Sequence, residues 1–149
     1  MIMADFKDFP RMGRIIGVDW GARRTGIAVS DETRDFVFVR PPVVAGRGVD
    51  IARVVADLSI AERAAGIVIG LPLHTDGSES ETTKMVREFA GLVATYIDLP
   101  ICFIDETLTS TAAAEQTGLH TVKEVKEKLD SEAARVILEN AIAVIKRLQ

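Results

Sequence analysis

Cysteine is almost absent: Cys102 is the only one in 149 residues. No internal disulfide can form, and no cysteine-based zinc cluster is available. Histidine is nearly as scarce. His74 and His120 stand alone, and each reads as a loop or surface residue rather than a catalytic one. No apolar run approaches the length that spans a bilayer. Internal repeats, low-complexity tracts and recognisable linkers are also missing. The first residues, Met1 to Pro10, lack the basic flank and apolar centre of a secretory signal, so the expected location is the cytoplasm. Positive charge is not in excess: the net charge is -4. That argues against a protein that coats nucleic acid by charge alone, but not against an enzyme that grips it locally. What is present is the profile of a globular chain, 48% apolar and 27% charged. Its length suits one domain with a real core, expected at residues 14–149 behind a loose N-terminal extension at 1–13.

The hydrophobic pattern predicts the element order βββαβαβαα. Arg14–Asp19 and Thr25–Ser30 read as neighbouring strands joined by a glycine-bearing turn. Phe36–Arg40 suits a third strand, which Pro41-Pro42 is expected to end. Ile51, Val54, Val55 and Leu58 recur at helical spacing after the flexible Gly46-Arg47-Gly48. Ile67-Val68-Ile69 is short, continuous and apolar, as a buried parallel strand should be. Leu73–Glu79 is a loop turning at Asp76-Gly77. A helix from about Ser80 to Tyr96 is expected to bury Met85, Phe89, Leu92, Val93 and Tyr96. Ile101–Ile104 is the fifth strand, with Asp105-Glu106-Thr107 at its end. A short helix is expected from Thr109 to Gln116, stopped by Gly118. Thr121–Glu124 fits a capping box. The final helix is expected to begin near Asp130-Ser131 and to turn Ala134, Ile137, Leu138, Ala141 and Ile145 inward. Three strands on short turns make an antiparallel meander. Two later strands, reached through helical crossovers, run parallel to the first. The result is a mixed sheet with helices on both faces, and ligands bind where the parallel strands end.

Three acids converge on that edge. Asp19 ends the first strand, Glu106 follows the last, and Asp130 opens the final helix. Clustered carboxylates raise each other's pKa, and a divalent cation removes the conflict. Mg²⁺ and Mn²⁺ prefer oxygen ligands and keep several waters, so a few carboxylates and a substrate phosphate complete the shell. Two such ions, about 4 Å apart, activate water and stabilise a leaving oxygen in phosphodiester cleavage. Each acid also has a plainer reading, as turn former, solvated strand end or helix N-cap. Geometry adds a constraint. If one strand intervenes, Glu106 starts about 9.6 Å from the first strand and has to lean across, with Asp105 as the fallback.

Four segments, in order, carry a resemblance. They are Gly17-Val18-Asp19-Trp20-Gly21 with Arg24-Thr25-Gly26-Ile27-Ala28-Val29-Ser30-Asp31; Gly70-Leu71-Pro72 with Asp76-Gly77-Ser78; Asp105-Glu106 with Leu108-Thr109-Ser110; and Asp130-Ser131-Glu132-Ala133-Ala134 with Ile137-Leu138. With them the chain resembles the YqgF, or RuvX-like, family of ribonuclease H-fold proteins, described as pre-16S ribosomal RNA nucleases and as Holliday-junction-resolvase-like. The resemblance implies a ribonuclease H-like α/β fold, a five-stranded mixed sheet in the order 3-2-1-4-5. It also implies Mg²⁺- or Mn²⁺-dependent phosphodiester cleavage that processes the 5′ end of precursor 16S ribosomal RNA. Asp19, Glu106 and Asp130 are the implied catalytic and metal-binding residues. Two departures bear on substrate grip. Thr107 stands where the family usually has Arg, and threonine cannot hold phosphate bidentately. The loop before the last helix offers only Lys123, Lys126 and Lys128 among glutamates.

Arg23, Arg24, Lys84, Lys123 and Lys126 are the candidate nucleic-acid contacts. Trp20 is placed either to stack on a base or to pack. Partners expected are precursor 16S RNA or branched DNA, and a ribosomal particle, with the chain a monomer or weak homodimer. The alternatives are a branched-DNA resolvase and a non-catalytic nucleic-acid or nucleotide-binding module. The nucleotide-binding proteins of the actin, Hsp70 and sugar-kinase class share the strand–Asp–Gly–turn–strand element, but they close two such domains around their ligand.

Overall fold

The computed structural model describes the backbone of residues 1–106 and 122–149, and the side-chain surroundings of residues 1–106 and 132–149. Among the described residues the strands are β1 (Ile2–Met3), β2 (Arg14–Asp19), β3 (Arg24–Ser30), β4 (Val37–Val44), β5 (Ala64–Pro72) and β6 (Ile101–Glu106). The helices are α1 (Ile51–Ala61), α2 (Glu81–Tyr96) and α3 (Val122–Leu148). One sheet holds all six strands in the order β1-β6-β5-β2-β3-β4. β2, β3 and β4 form the antiparallel meander, while β5 and β6 join parallel to β2. The expected five-strand order is therefore present, with a sixth strand added at one edge.

That sixth strand corrects the expectation of a loose N-terminal extension. Ile2 and Met3 pair in parallel with Ile101 and Cys102. Phe6 and Phe9 stack edge to face, 5.5 Å apart, and both are buried. Gly66 is what admits Phe9: a Cβ there would lie 2.5 Å from the Phe9 Cζ. The two phenylalanines were legible, but their pocket is built from β5 and α3, far away in the chain.

β4 also differs from expectation, because it runs through Pro41-Pro42 to Val44. It is an edge strand, where a missing N–H costs no ladder bond. The pairing steps from Thr25↔Val43 to Ile27↔Arg40, so the prolines occupy a bulge with one extra residue.

Strand alternation sorts the core into two layers. Ile16, Val18, Ile27, Val29, Ile67 and Ile69 pack under α1 and α2 with Val55, Phe89 and Val93. Ile15, Ala28, Val68 and Cys102 face α3, against Ala134, Ile137, Leu138 and Ala141. Each Val, Leu, Ile or Phe among them contributes about 1.5–3 kcal/mol by leaving water. α1 starts on Asp50, whose side chain accepts from the Arg53 N–H. α2 starts on a reciprocal Ser80–Thr83 capping box, and Thr83 also donates to the Pro72 carbonyl, tying the helix to the end of β5.

Met85, Leu92 and Tyr96, expected inside, are 48%, 54% and 45% exposed. The buried stripe of α2 is Thr83, Val86, Phe89, Ala90 and Val93. Helical spacing shows that an apolar stripe exists; the rotation of the helix about its axis is set by what it packs on. α3 begins at Val122, so Asp130 lies within a helix rather than at its start. The expected Thr109–Gln116 helix falls outside the described residues. No described helix is long and apolar enough to cross a membrane.

Candidate functional site

β2, β5 and β6 are parallel, so their carboxyl ends share one edge. Asp19 is the last residue of β2, half-buried, and pairs with Gly26 of β3. The turn beyond it is tight at Gly21, where any side chain would collide with the Arg24 carbonyl. Ile15 and Gly17 face α3, and strand alternation carries Asp19 to the same face. Glu106 is the last residue of β6 and pairs with Pro72. Cys102 lies in the α3-facing layer with Ile104 packed against it, so alternation puts Glu106 on that face too.

Glu106 does lean across. A Cβ built on Gly70 would lie 2.7 Å from the Glu106 Oε2. Because Val18 pairs with Ile69, Gly70 is level with Asp19 on the adjoining strand. The carboxylate of Glu106 thus hangs over β5, one strand spacing, about 4.8 Å, from the axis of β2. Gly70 is the residue that sequence reasoning missed. The usable signal is a glycine near a strand end, level with one acid and beside the strand that carries another. Asp105, the fallback, is exposed on the opposite face, where Arg87 lies over the Phe103 ring at 5.4 Å.

The third acid is not part of this geometry. Asp130 lies on α3, outside the residues whose side chains are described, as do Lys123 and Lys126. Among the described residues no group of three His, Cys, Asp or Glu side chains converges on a common point. Arg23 is exposed in the turn after β2, and its carbonyl accepts from the Ala45 N–H at 2.8 Å. Arg24 opens β3 and is half-buried. Lys84 is not brought to Asp19: it sits in the first turns of α2, paired with Glu81 at 3.5 Å, on the far face of the sheet. Trp20 turns away from Asp19 and packs with the α1–α2 layer, its ring 6.4 Å from that of Phe89.

A mixed six-stranded sheet with this meander, crossed on one face by a C-terminal helix and carrying acids at its carboxyl edge, defines the ribonuclease H-like class. Thermus thermophilus RuvC has the same fold. Its complex with a Holliday junction substrate superposes with a TM-score of 0.57 at 12% identity, covering 91% of this chain and 97% of that one. A second T. thermophilus RuvC structure gives 0.52 at 14% identity over 89% and 96% of the two chains. Sequence narrows the class further. Residues 13–143 match the family model for RuvX, described as Holliday junction resolvase. A protein of Maridesulfovibrio salexigens named "Putative pre-16S rRNA nuclease" is 40% identical over 135 residues, 87% of this chain and 98% of that one. One of the same name from Rhodopirellula baltica is 37% identical over 89% of this chain and 78% of its own length. The chain belongs to the RuvX (YqgF) family.

Proposed function

We propose that this chain is a divalent-metal-dependent endonuclease that hydrolyses phosphodiester bonds and processes the 5′ end of precursor 16S ribosomal RNA in the cytoplasm. The observation that carries the reading is the Glu106 carboxylate seated over Gly70, level with Asp19. A strand-end acid that only met solvent would have no reason to lie over a position of β5 that lacks a Cβ, on the strand beside Asp19.

The donor set fits Mg²⁺ or Mn²⁺. Carboxylate oxygens are what these hard cations take, and the missing Cβ at Gly70 lets the Glu106 carboxylate lie on the strand beside Asp19. Asp19, Glu106 and Asp130 are the residues that would hold the metal. When bound, it supplies Lewis acidity and a water that ionises near neutral pH. Simple helix geometry supports Asp130. Ala134 and Leu138 of α3 lie directly over Gly17. Position 130 is one turn earlier, about 6 Å along the axis, and Asp19 is two residues beyond Gly17, about 6.6 Å along the strand. α3 runs antiparallel to β2, since its far end carries Lys146 to the Arg34 carbonyl and Asp35 in the β3–β4 turn. The two offsets therefore point the same way. Arg23 and Arg24, in the turn after Asp19, are suited to phosphates flanking the reacting one, and Lys123 and Lys126 to phosphates further along. Lys84 is assigned a minor contact, because it faces the other side.

RNA as substrate rests on the relatives' name; a ribosomal particle as partner follows from it. The second reading, a branched-DNA resolvase, is favoured by the description of the family model and by the RuvC likeness in fold. The deciding experiment incubates the purified protein with precursor 16S RNA and with branched DNA in Mn²⁺, beside Asp19→Asn. Cutting of the RNA that the variant loses, with unchanged circular dichroism, is the expected outcome. Equal cutting by the variant would dismiss the assignment of Asp19, and exclusive cutting of the branched DNA would exchange the first reading for the second.

A further inference from the structure

The α1–α2 face carries a cleft of about 490 Å³, lined by Trp20, Val49, Asp50, Met85, Glu88 and Leu92 among others. We infer that this cleft receives an unpaired nucleobase from the nucleotide next to the cleaved bond. This deepens the nuclease reading and rests on it for the identity of the ligand.

Three observations favour a base over other occupants. The first is position. Trp20 directly follows Asp19, so the cleft opens one residue from the edge where the scissile phosphate is proposed to lie. The Ala45 N–H bond to the Arg23 carbonyl ties the segment leading into α1, one wall of the cleft, to the arginine turn. The cleft is on the opposite face of the sheet from Asp19, and the two meet only at the sheet's carboxyl edge, so a nucleotide reaching both would have to cross that edge beside the Arg23 turn. The second is shape and chemistry. The lining is mostly apolar and includes the half-buried Trp20 ring, backed at 39° by the core ring of Phe89. Aromatic platforms of that kind hold bases by stacking without regard to their identity.

The third is charge. The ionisable groups on the lining are acids, Asp50 and Glu88. Asp50 accepts from the Tyr96 hydroxyl and from the Arg53 N–H, which fixes its carboxylate at the rim. Glu88 is exposed and makes no ion pair with any described residue. Carboxylates repel phosphate but accept from the amino and imino groups of a base. A groove for backbone would carry the opposite sign. The apolar exposure of Met85 and Leu92, unexplained by the core, is accounted for by the same ligand. A duplex keeps its bases stacked, so the inference also restricts the substrate to a single-stranded or locally opened site.

Trp20 is the only tryptophan in the chain, so its fluorescence reports on this cleft without a label. The test titrates the full chain, without divalent metal, with a short single-stranded RNA and with the same RNA made abasic at one position after another. Anisotropy of an end label gives affinity, and selectively excited tryptophan gives occupancy. The intact RNA should quench Trp20. One abasic position should remove the quenching and weaken binding roughly tenfold. Leu92→Asp, at an exposed site that spares the fold, should bind intact RNA only as well as the wild type binds that abasic one. Three results would overturn the inference: equal quenching by every abasic RNA, RNA binding with no tryptophan response, or Leu92→Asp without effect. The last would hand the cleft to an apolar protein segment. Because the titration needs no cleavage, loss of the nuclease reading would show instead as absent Mn²⁺-dependent cutting.

Discussion

Gly70→Ala is the sharpest probe of the proposed metal edge. The added methyl would lie 2.7 Å from the Glu106 Oε2 and 3.0 Å from the Ile137 Cγ1, and inside any allowed contact with the Ile137 Cδ1. Ordinary contact begins near 3.4 Å, so Glu106 has to retreat by about 0.7 Å, the difference between 3.4 and 2.7 Å. Ile137 is buried and cannot yield freely. Overpacking of this kind costs about 1–3 kcal/mol, which for a chain of this size lowers Tm by roughly 2–12 °C. Activity should suffer more than stability. A misplacement near 1 Å at a reacting group costs on the order of 100-fold. The two effects separate in the double variant Gly70→Ala/Ile137→Val. Removing the Cδ1 makes room for the new methyl at nearly constant volume, so Tm should recover by more than half. The carboxylate clash remains, so cutting and Mn²⁺ affinity should stay low. Gly17→Ala is the control: its methyl would meet the Leu138 Cβ at 2.7 Å and the Ala134 carbonyl at 3.1 Å, with no acid in contact. If the double variant recovered full activity along with its Tm, the effect of Gly70 would be one of packing alone, and Glu106 would not belong to the site.

Phe9→Ala should cost about 3–5 kcal/mol in urea unfolding, because the ring is 2% exposed and fills the space over Gly66; a loss under 1 kcal/mol would return the segment to the status of a loose tail. Lys123→Ala should weaken binding of precursor RNA most at low salt and lower the log–log salt slope by about one, which filter binding at several ionic strengths measures. An unchanged slope would remove that lysine from the footprint. Burial pushes the Cys102 thiol from its ordinary 9.0 up to about 11. The raised folded value means that its contribution to stability is complete below pH 9 and is lost as pH rises from 9 to 11. Cys102→Ala should therefore flatten the alkaline fall in stability over that window, and native wild type should react with thiol reagents only as fast as it unfolds.

Much of this molecule was written in local pattern. The runs Ile15–Val18, Ile67–Ile69 and Ile101–Ile104 specify buried strands because no charged side chain interrupts them. Asp50 and Ser80 start their helices through bonds to residues three positions on, a distance at which sequence alone is informative. The family, too, was legible from four short segments in order. What local pattern could not decide was anything that depends on a distant partner. Pro41-Pro42 reads as a terminator until β4 is known to be an edge strand with a bulge. Met85 and Leu92 read as core until α2 is rotated onto Phe89 and Val93.

The sequence by itself determined which residues are acids at strand ends, which segments alternate and which recur at helical period, because those are properties of neighbours along the chain. Only the tertiary structure decided that Phe9 has a pocket, that Glu106 reaches over a residue with no Cβ, and that Asp105 faces the other way. The reason is steric. Whether a side chain can occupy a given space depends on what three or four other segments leave empty there, and no window of contiguous residues contains that information.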